Sequence, residues 1–79
     1  MRLDKFLKVS RLVKRRTVAN ELAGAGRVQI NGSAAKAASQ VKEGDVLTIS
    51  FGNRESRVRV KELADHVKKD QAADMYELI

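Results

Sequence analysis

Gly24-Ala25-Gly26-Arg27-Val28-Gln29-Ile30-Asn31-Gly32 packs a helix stop, a strand and a turn into nine residues. Gly24-Ala25-Gly26 ends any helix that precedes it, because glycine readily takes the left-handed conformation at a helix C-terminus. Val28 and Ile30 then alternate with Arg27 and Gln29, the period of a half-buried strand. Asn31-Gly32 is a tight-turn signal. Helix therefore lies upstream of this stretch and sheet downstream.

Upstream, Leu3, Phe6 and Leu7 fall on one helical face, with Lys5 and Lys8 opposite and Arg2 at the edge. Asp4 is one turn before Lys8 and is placed to pair with it. Arg11 to Arg16 reads as a connection into a second helix, with Val18, Ala19, Leu22 and Ala25 on one face and Asn20 and Glu21 on the other. Downstream, the small, Ala-rich stretch 33–40 predicts a short strand near Ala34–Lys36, and Lys42-Glu43-Gly44-Asp45 a turn. Leu47, Ile49 and Phe51 alternate with Val46, Thr48 and Ser50 as a strong strand whose apolar set, Phe51 included, faces the core. Gly52-Asn53 turns the chain into another strand, in which Val58 and Val60 alternate with Arg57, Arg59 and Lys61. Ala72, Ala73, Met75, Tyr76 and Ile79 predict a C-terminal helix with Asp70 as its N-cap. The expected class is α+β: two short N-terminal helices packed on a small antiparallel sheet, with a C-terminal helix. Residues 1–67 form the expected domain and 68–79 a helical tail.

The formal net charge is +6. All of that excess sits in the first sixteen residues, where Arg2, Lys5, Lys8, Arg11, Lys14, Arg15 and Arg16 face Asp4 as the only acid. From Thr17 onward, nine Lys and Arg balance nine Asp and Glu. A charge run is usually a solvated helix face. Here the acids that normally lace such a face are missing, and the cations span a helix, a linker and the start of a second helix. If the two helices pack side by side, the cations converge on one surface, the footprint of a polyphosphate partner.

Catalysis finds little support. His66 is the single histidine and lies in a charged, solvated stretch. No His, Cys or carboxylate set has metal-ligand spacing, and no phosphate-loop motif is present. No cofactor is expected. The chain has no cysteine, in keeping with a reducing compartment, and no apolar run of bilayer-spanning length. The expected setting is the cytoplasm, without membrane binding. Aromatics are scarce, and Phe6 and Phe51 fit the core pattern, which argues against base stacking as the main mode of nucleic-acid binding. The second helix exposes little for base readout in a DNA groove. Structured RNA, read through shape and phosphates, fits better.

Met1-Arg-Leu-Asp-Lys-Phe-Leu7, Ser10-Arg11, Gly26-Arg-Val-Gln-Ile-Asn-Gly32 and Val41-Lys-Glu-Gly-Asp-Val-Leu47 occur in the order and spacing of the S-four RNA-binding domain. The chain resembles that family over residues 1 to about 51. With Lys14-Arg-Arg-Thr17 and Ala72-Ala-Asp-Met-Tyr76, it is similar to short free-standing members of the ribosome-associated quality control P-site type, which are related to a ribosome-binding fifteen-kilodalton heat-shock protein. The resemblance implies two helices on a small sheet and a non-catalytic, ribosome-associated role. It implies binding to large ribosomal subunits that still carry peptidyl-tRNA, contact with ribosomal RNA and tRNA, and support for tail addition by a NEMF-type factor, as a monomer when free.

Carried over by position, Arg2, Arg11 and Arg16 match the family's RNA-facing residues, with Lys5, Lys14 and Arg15 beside them. Arg27 and Lys36 extend the patch across the sheet. Arginine at 2, 11 and 16 suits a bidentate phosphate grip, and replacing Arg2 or Arg16 is expected to spare the fold. Three other readings stay open: an RNA-targeting domain detached from a modifying enzyme, a constitutive ribosomal protein, and a small DNA-binding protein.

Overall fold

A computed structural model describes residues 1–79. Helix α1 (Leu3–Val9) and helix α2 (Arg16–Gly24) precede strands β1 (Val28–Ile30), β2 (Ser33–Ala34), β3 (Val46–Phe51) and β4 (Arg54–Val60). A 3-10 helix (Lys69–Met75) then leads into β5 (Tyr76–Leu78). The five strands form one antiparallel sheet in the order β2-β1-β3-β4-β5.

The signals in 24–32 act as read. Gly26 lies at φ +73, and behind it the Arg27 N–H donates to the Leu22 carbonyl while the Gly26 N–H donates to the Ala23 carbonyl. That paired closure caps the last carbonyls of α2. Asn31 and Gly32 both take positive φ, +52 and +86, as a two-residue turn matching the strand twist requires. The Asn31 side chain also reaches β3, accepting from the Val46 N–H at 2.9 Å and donating to Asp45 at 3.1 Å.

The core lies between the helices and one sheet face. Leu3, Phe6 and Leu7 of α1 meet Val28, Leu47, Ile49, Val58 and Val60, all essentially buried. Ala19 and Ala23 give α2 a flat buried face. Val18 and Ala25, expected on that face, are exposed, because small residues at 19 and 23 let the backbone of α2 approach closely and swing position 18 to the rim. Phe51 is also corrected. It has the parity of Leu47 and Ile49, but β3 outruns the core at its hairpin end and leaves the ring 38 % exposed.

The C-terminal helix is the main correction. Residues 69–75 form a 3-10 helix, whose three-residue turn brings Ala72 and Met75 to the same side, where both are buried. Lys68, not Asp70, occupies its N-cap, and no side chain caps it. Tyr76, Glu77 and Leu78 then pair with Val60, Arg59 and Val58. A helix of this length is marginal in water, whereas the open edge of β4 offers the backbone partners at once. The short second strand is Ser33–Ala34, not Ala34–Lys36.

Candidate nucleic-acid interface

The site begins with how the chain fastens Arg2. The Leu3 N–H donates to the Ser39 carbonyl (2.8 Å), the Asp4 N–H to Ala37 (3.1 Å) and the Val41 N–H to Met1 (2.8 Å). The segment 37–41 thus ties down the start of α1. Helix α1 then turns Asp4 inward, one turn before Leu7 and beside Leu3, so that its side chain is only 2 % exposed.

A lone buried carboxylate is costly unless charge and hydrogen bonds compensate. Asp4 collects both. Arg2 Nε donates to Oδ1 at 3.2 Å, Arg16 Nε to Oδ2 at 3.1 Å, Asn20 Nδ2 to Oδ2 at 2.8 Å, and the Lys5 N–H to Oδ1 at 2.8 Å. Each guanidinium adds a second, weaker bond through Nη2 at 3.4 Å. Burial alone would push the Asp4 carboxyl up; the bonds from Arg16, Asn20 and the Lys5 amide outweigh it and hold the group below its usual range.

Each arginine faces Asp4 side-on, through Nε and Nη2, so its Nη1 amino group stays unused. Both side chains are about half exposed, Arg2 at 49 % and Arg16 at 47 %. The arrangement holds two cations, one at the N-cap of α1 and one opening α2, against one anion, with donors left over. That is a rigid fork for phosphate oxygens, because the rotamer freedom a guanidinium loses on binding has already been lost. The sequence reading missed this centre. It paired Asp4 with Lys8, which makes no such bond. The available signal was a single acid among seven cations, three residues before the core residue Leu7.

The other expected residues separate. Lys5 turns to Asp65 at 2.9 Å, an exposed ion pair outside the Asp4 cluster. Its bond and charge hold the Asp65 carboxyl low. Arg11 takes φ +63, a left-handed conformation that costs a non-glycine residue about 1 kcal/mol or more. It lines a cleft with Lys8, Asp65 and His66. Lys14 and Arg15 flank an apolar notch with Leu12, Val13, Val18 and Phe51. Arg27 and Lys36 are exposed and make no ion pair, and neither bonds to the Asp4 cluster.

Arg15 is the N-cap of α2. Its backbone has the extended conformation of a cap, φ −128 and ψ 139, yet its side chain accepts no helix amide. Serine there would accept one. Arg15→Ser is expected to raise stability by about 1 kcal/mol. Thermal unfolding should show a midpoint higher by roughly 4–8 °C.

Residues 1–47, which hold the whole Asp4 cluster, match the family model of the S4 domain. The chain belongs to the S4 domain family. Over 79 residues this S4 domain is 60 % identical to the RQC P-site tRNA stabilizing factor of Bacillus subtilis, covering all of this chain and 92 % of the relative. It is 36 % identical to Heat shock protein 15 of Escherichia coli, across 98 % of this chain and 59 % of that longer protein. Among solved structures it superposes on Heat Shock Protein 15 of Vibrio cholerae, described as trimeric, with a TM-score of 0.92 and 29 % identity. That match covers all of this chain and 81 % of the other.

Proposed function

We propose that this S4 domain is a non-catalytic RNA-binding factor that acts on large ribosomal subunits carrying stalled peptidyl-tRNA. It grips ribosomal RNA and tRNA together, and so stabilises the P-site tRNA while the nascent chain is tailed with a NEMF-type quality-control factor. The observation that carries this reading is the Asp4-held pair of Arg2 and Arg16, two half-exposed guanidiniums with donors to spare. The 60 % identity to a relative named for P-site tRNA stabilisation supports this reading.

The action is positioning. A small basic wedge adds contacts that exist only when both RNAs are in place, and this calls on no cofactor. Residues 1–67 carry the binding, with Arg11, Lys14 and Arg15 beside the fork, Lys5 at its margin, and Arg27 and Lys36 as outlying contacts. Within residues 68–79, Tyr76–Leu78 add the edge strand of the sheet. The protein works in the cytoplasm as a single chain on the ribosome.

Sedimentation tests this. The protein should pellet with purified large subunits bearing peptidyl-tRNA in clear preference to the same subunits stripped of tRNA. Equal binding to both, or fixed stoichiometry on all ribosomes, would point to a constitutive ribosomal protein instead.

A further inference from the structure

Three clefts open on the surface, and they differ in chemistry. The cleft of Lys8 and Arg11 contains Asp65. The one beside Arg57 contains Glu55. The third is lined by Leu12, Val13, Lys14, Arg15, Val18 and Phe51 and holds no carboxylate. Its volume is about 430 Å³, near the lower end of the roughly 300–1,000 Å³ of small-molecule sites. Phe51 and Val18 are each 38 % exposed in it, whereas Leu47 and Ile49 of β3 are fully buried. Neither Lys14 nor Arg15 makes an ion pair, unlike Arg2, Lys5, Arg16 and Arg59.

We propose that this notch seats one unpaired nucleotide of the bound RNA, its base face on Phe51 and Val18 and its phosphate between Lys14 and Arg15. The occupant must combine a flat apolar face with negative charge. Paired RNA presents the charge and keeps its base faces stacked, whereas a nucleotide in a loop or bulge offers both. The absence of a carboxylate in the lining leaves the two cations to the incoming phosphate. Arg15 adjoins Arg16, so the notch continues the fork along the chain. Phe6 is fully buried, and Phe51 is the aromatic face left open beside these cations. The proposal rests on the RNA-binding reading above and adds a subsite that selects unpaired over paired RNA.

The test uses the full chain and purified large subunits bearing peptidyl-tRNA. Phe51→Ala should weaken binding about tenfold, within the roughly 5- to 100-fold range that one lost base stack produces. Phe51→Tyr, which keeps the ring face, should bind like the parent. A photoreactive phenylalanine analogue at position 51 should give an adduct that ribonuclease removes and that maps to an unpaired nucleotide. That arm does not depend on the stability of the alanine variant.

An adduct to a ribosomal protein would mean that the notch takes an apolar, acidic peptide, and would overturn the proposal. So would an adduct confined to paired RNA, the lack of any adduct, or a folded Phe51→Ala variant with undiminished affinity. Arg2→Ala/Arg16→Ala combined with Asp4→Asn, which removes the buried charge those arginines neutralise, separates the two readings. If it binds normally, the RNA interface itself is wrong; if it fails to bind while Phe51→Ala is unaffected, only the subsite is.

Discussion

Arg2→Ala/Arg16→Ala is expected to lower the affinity for large ribosomal subunits by roughly a hundredfold. Two charge-assisted hydrogen-bonding groups are lost, each contributing about 1–2 kcal/mol once competition from water is allowed for. Two phosphate neutralisations also disappear, so the slope of log affinity against log salt should become shallower by about two. An equilibrium binding series across salt reads both effects. Unchanged affinity and slope would show that the pair faces away from RNA.

The geometry also predicts that this double variant is less stable, where the sequence alone leads one to expect the fold to be spared. Arg2 and Arg16 neutralise a carboxylate that is 2 % exposed, and removing them leaves Asp4 with Asn20 and one amide. Breaking a buried pair from one side is destabilising because an uncompensated charge stays behind. Adding Asp4→Asn to the double variant removes that charge. The triple variant should regain much of the lost stability and none of the lost binding, which separates the two roles of the arginines.

Asp4→Asn alone is expected to weaken binding about tenfold, although it makes the protein more basic. Simple electrostatics predicts the opposite sign: one anion fewer beside an RNA surface should tighten the complex. The loss comes from geometry. Without the carboxylate, Arg2 and Arg16 repel each other, regain rotamer freedom, and must be ordered again on binding. Stability should fall by about 2 kcal/mol, less than the roughly 3–5 kcal/mol of a fully buried pair, because both guanidiniums reach water. Binding as tight as the parent's, or tighter, would show that net charge alone governs the interface.

The pH dependence of unfolding gives an independent reading of the same carboxylate. The folded state holds the Asp4 carboxyl below its unfolded value, so the clamp stabilises the protein fully above that unfolded value. The contribution is lost as pH falls through the lowered native value. Asp4→Asn should remove this part of the acid sensitivity and leave the stability difference flat near neutrality.

The order of helices and strands was legible because each boundary carries its own local chemistry. Gly26 closes α2 and Asn31-Gly32 turns β1, and neither depends on distant parts of the chain. The tail was not legible, since Ala72, Met75 and Tyr76 suit a helix until the free edge of β4 is known to be there. The same holds for Phe51: strand parity points it inward, but β3 runs past the end of the core at its hairpin, a limit set by the packed elements and not by the strand's own pattern.

The interface was half legible. Its charge was visible as an unbalanced run, and the convergence of Arg2 with Arg16 followed once two helices were expected to pack. The organising residue was hidden, because an acid among seven cations reads as a minor correction to net charge. Its burial, and the bond from Asn20 sixteen residues away, exist only after α1 and α2 meet. Lys5 shows the converse: its sequence position suggests the interface, and its partner Asp65 comes from the far end of the chain.

A structure of the protein bound to a large ribosomal subunit carrying peptidyl-tRNA tests the central claim most directly. Arg2 and Arg16 should lie within salt-bridge reach of RNA phosphate oxygens while still bonded to Asp4, with the α1–α2 face toward RNA and the outer sheet face away. An α1–α2 face turned to solvent or seated on a ribosomal protein, with Arg2 and Arg16 remote from any phosphate, would contradict it.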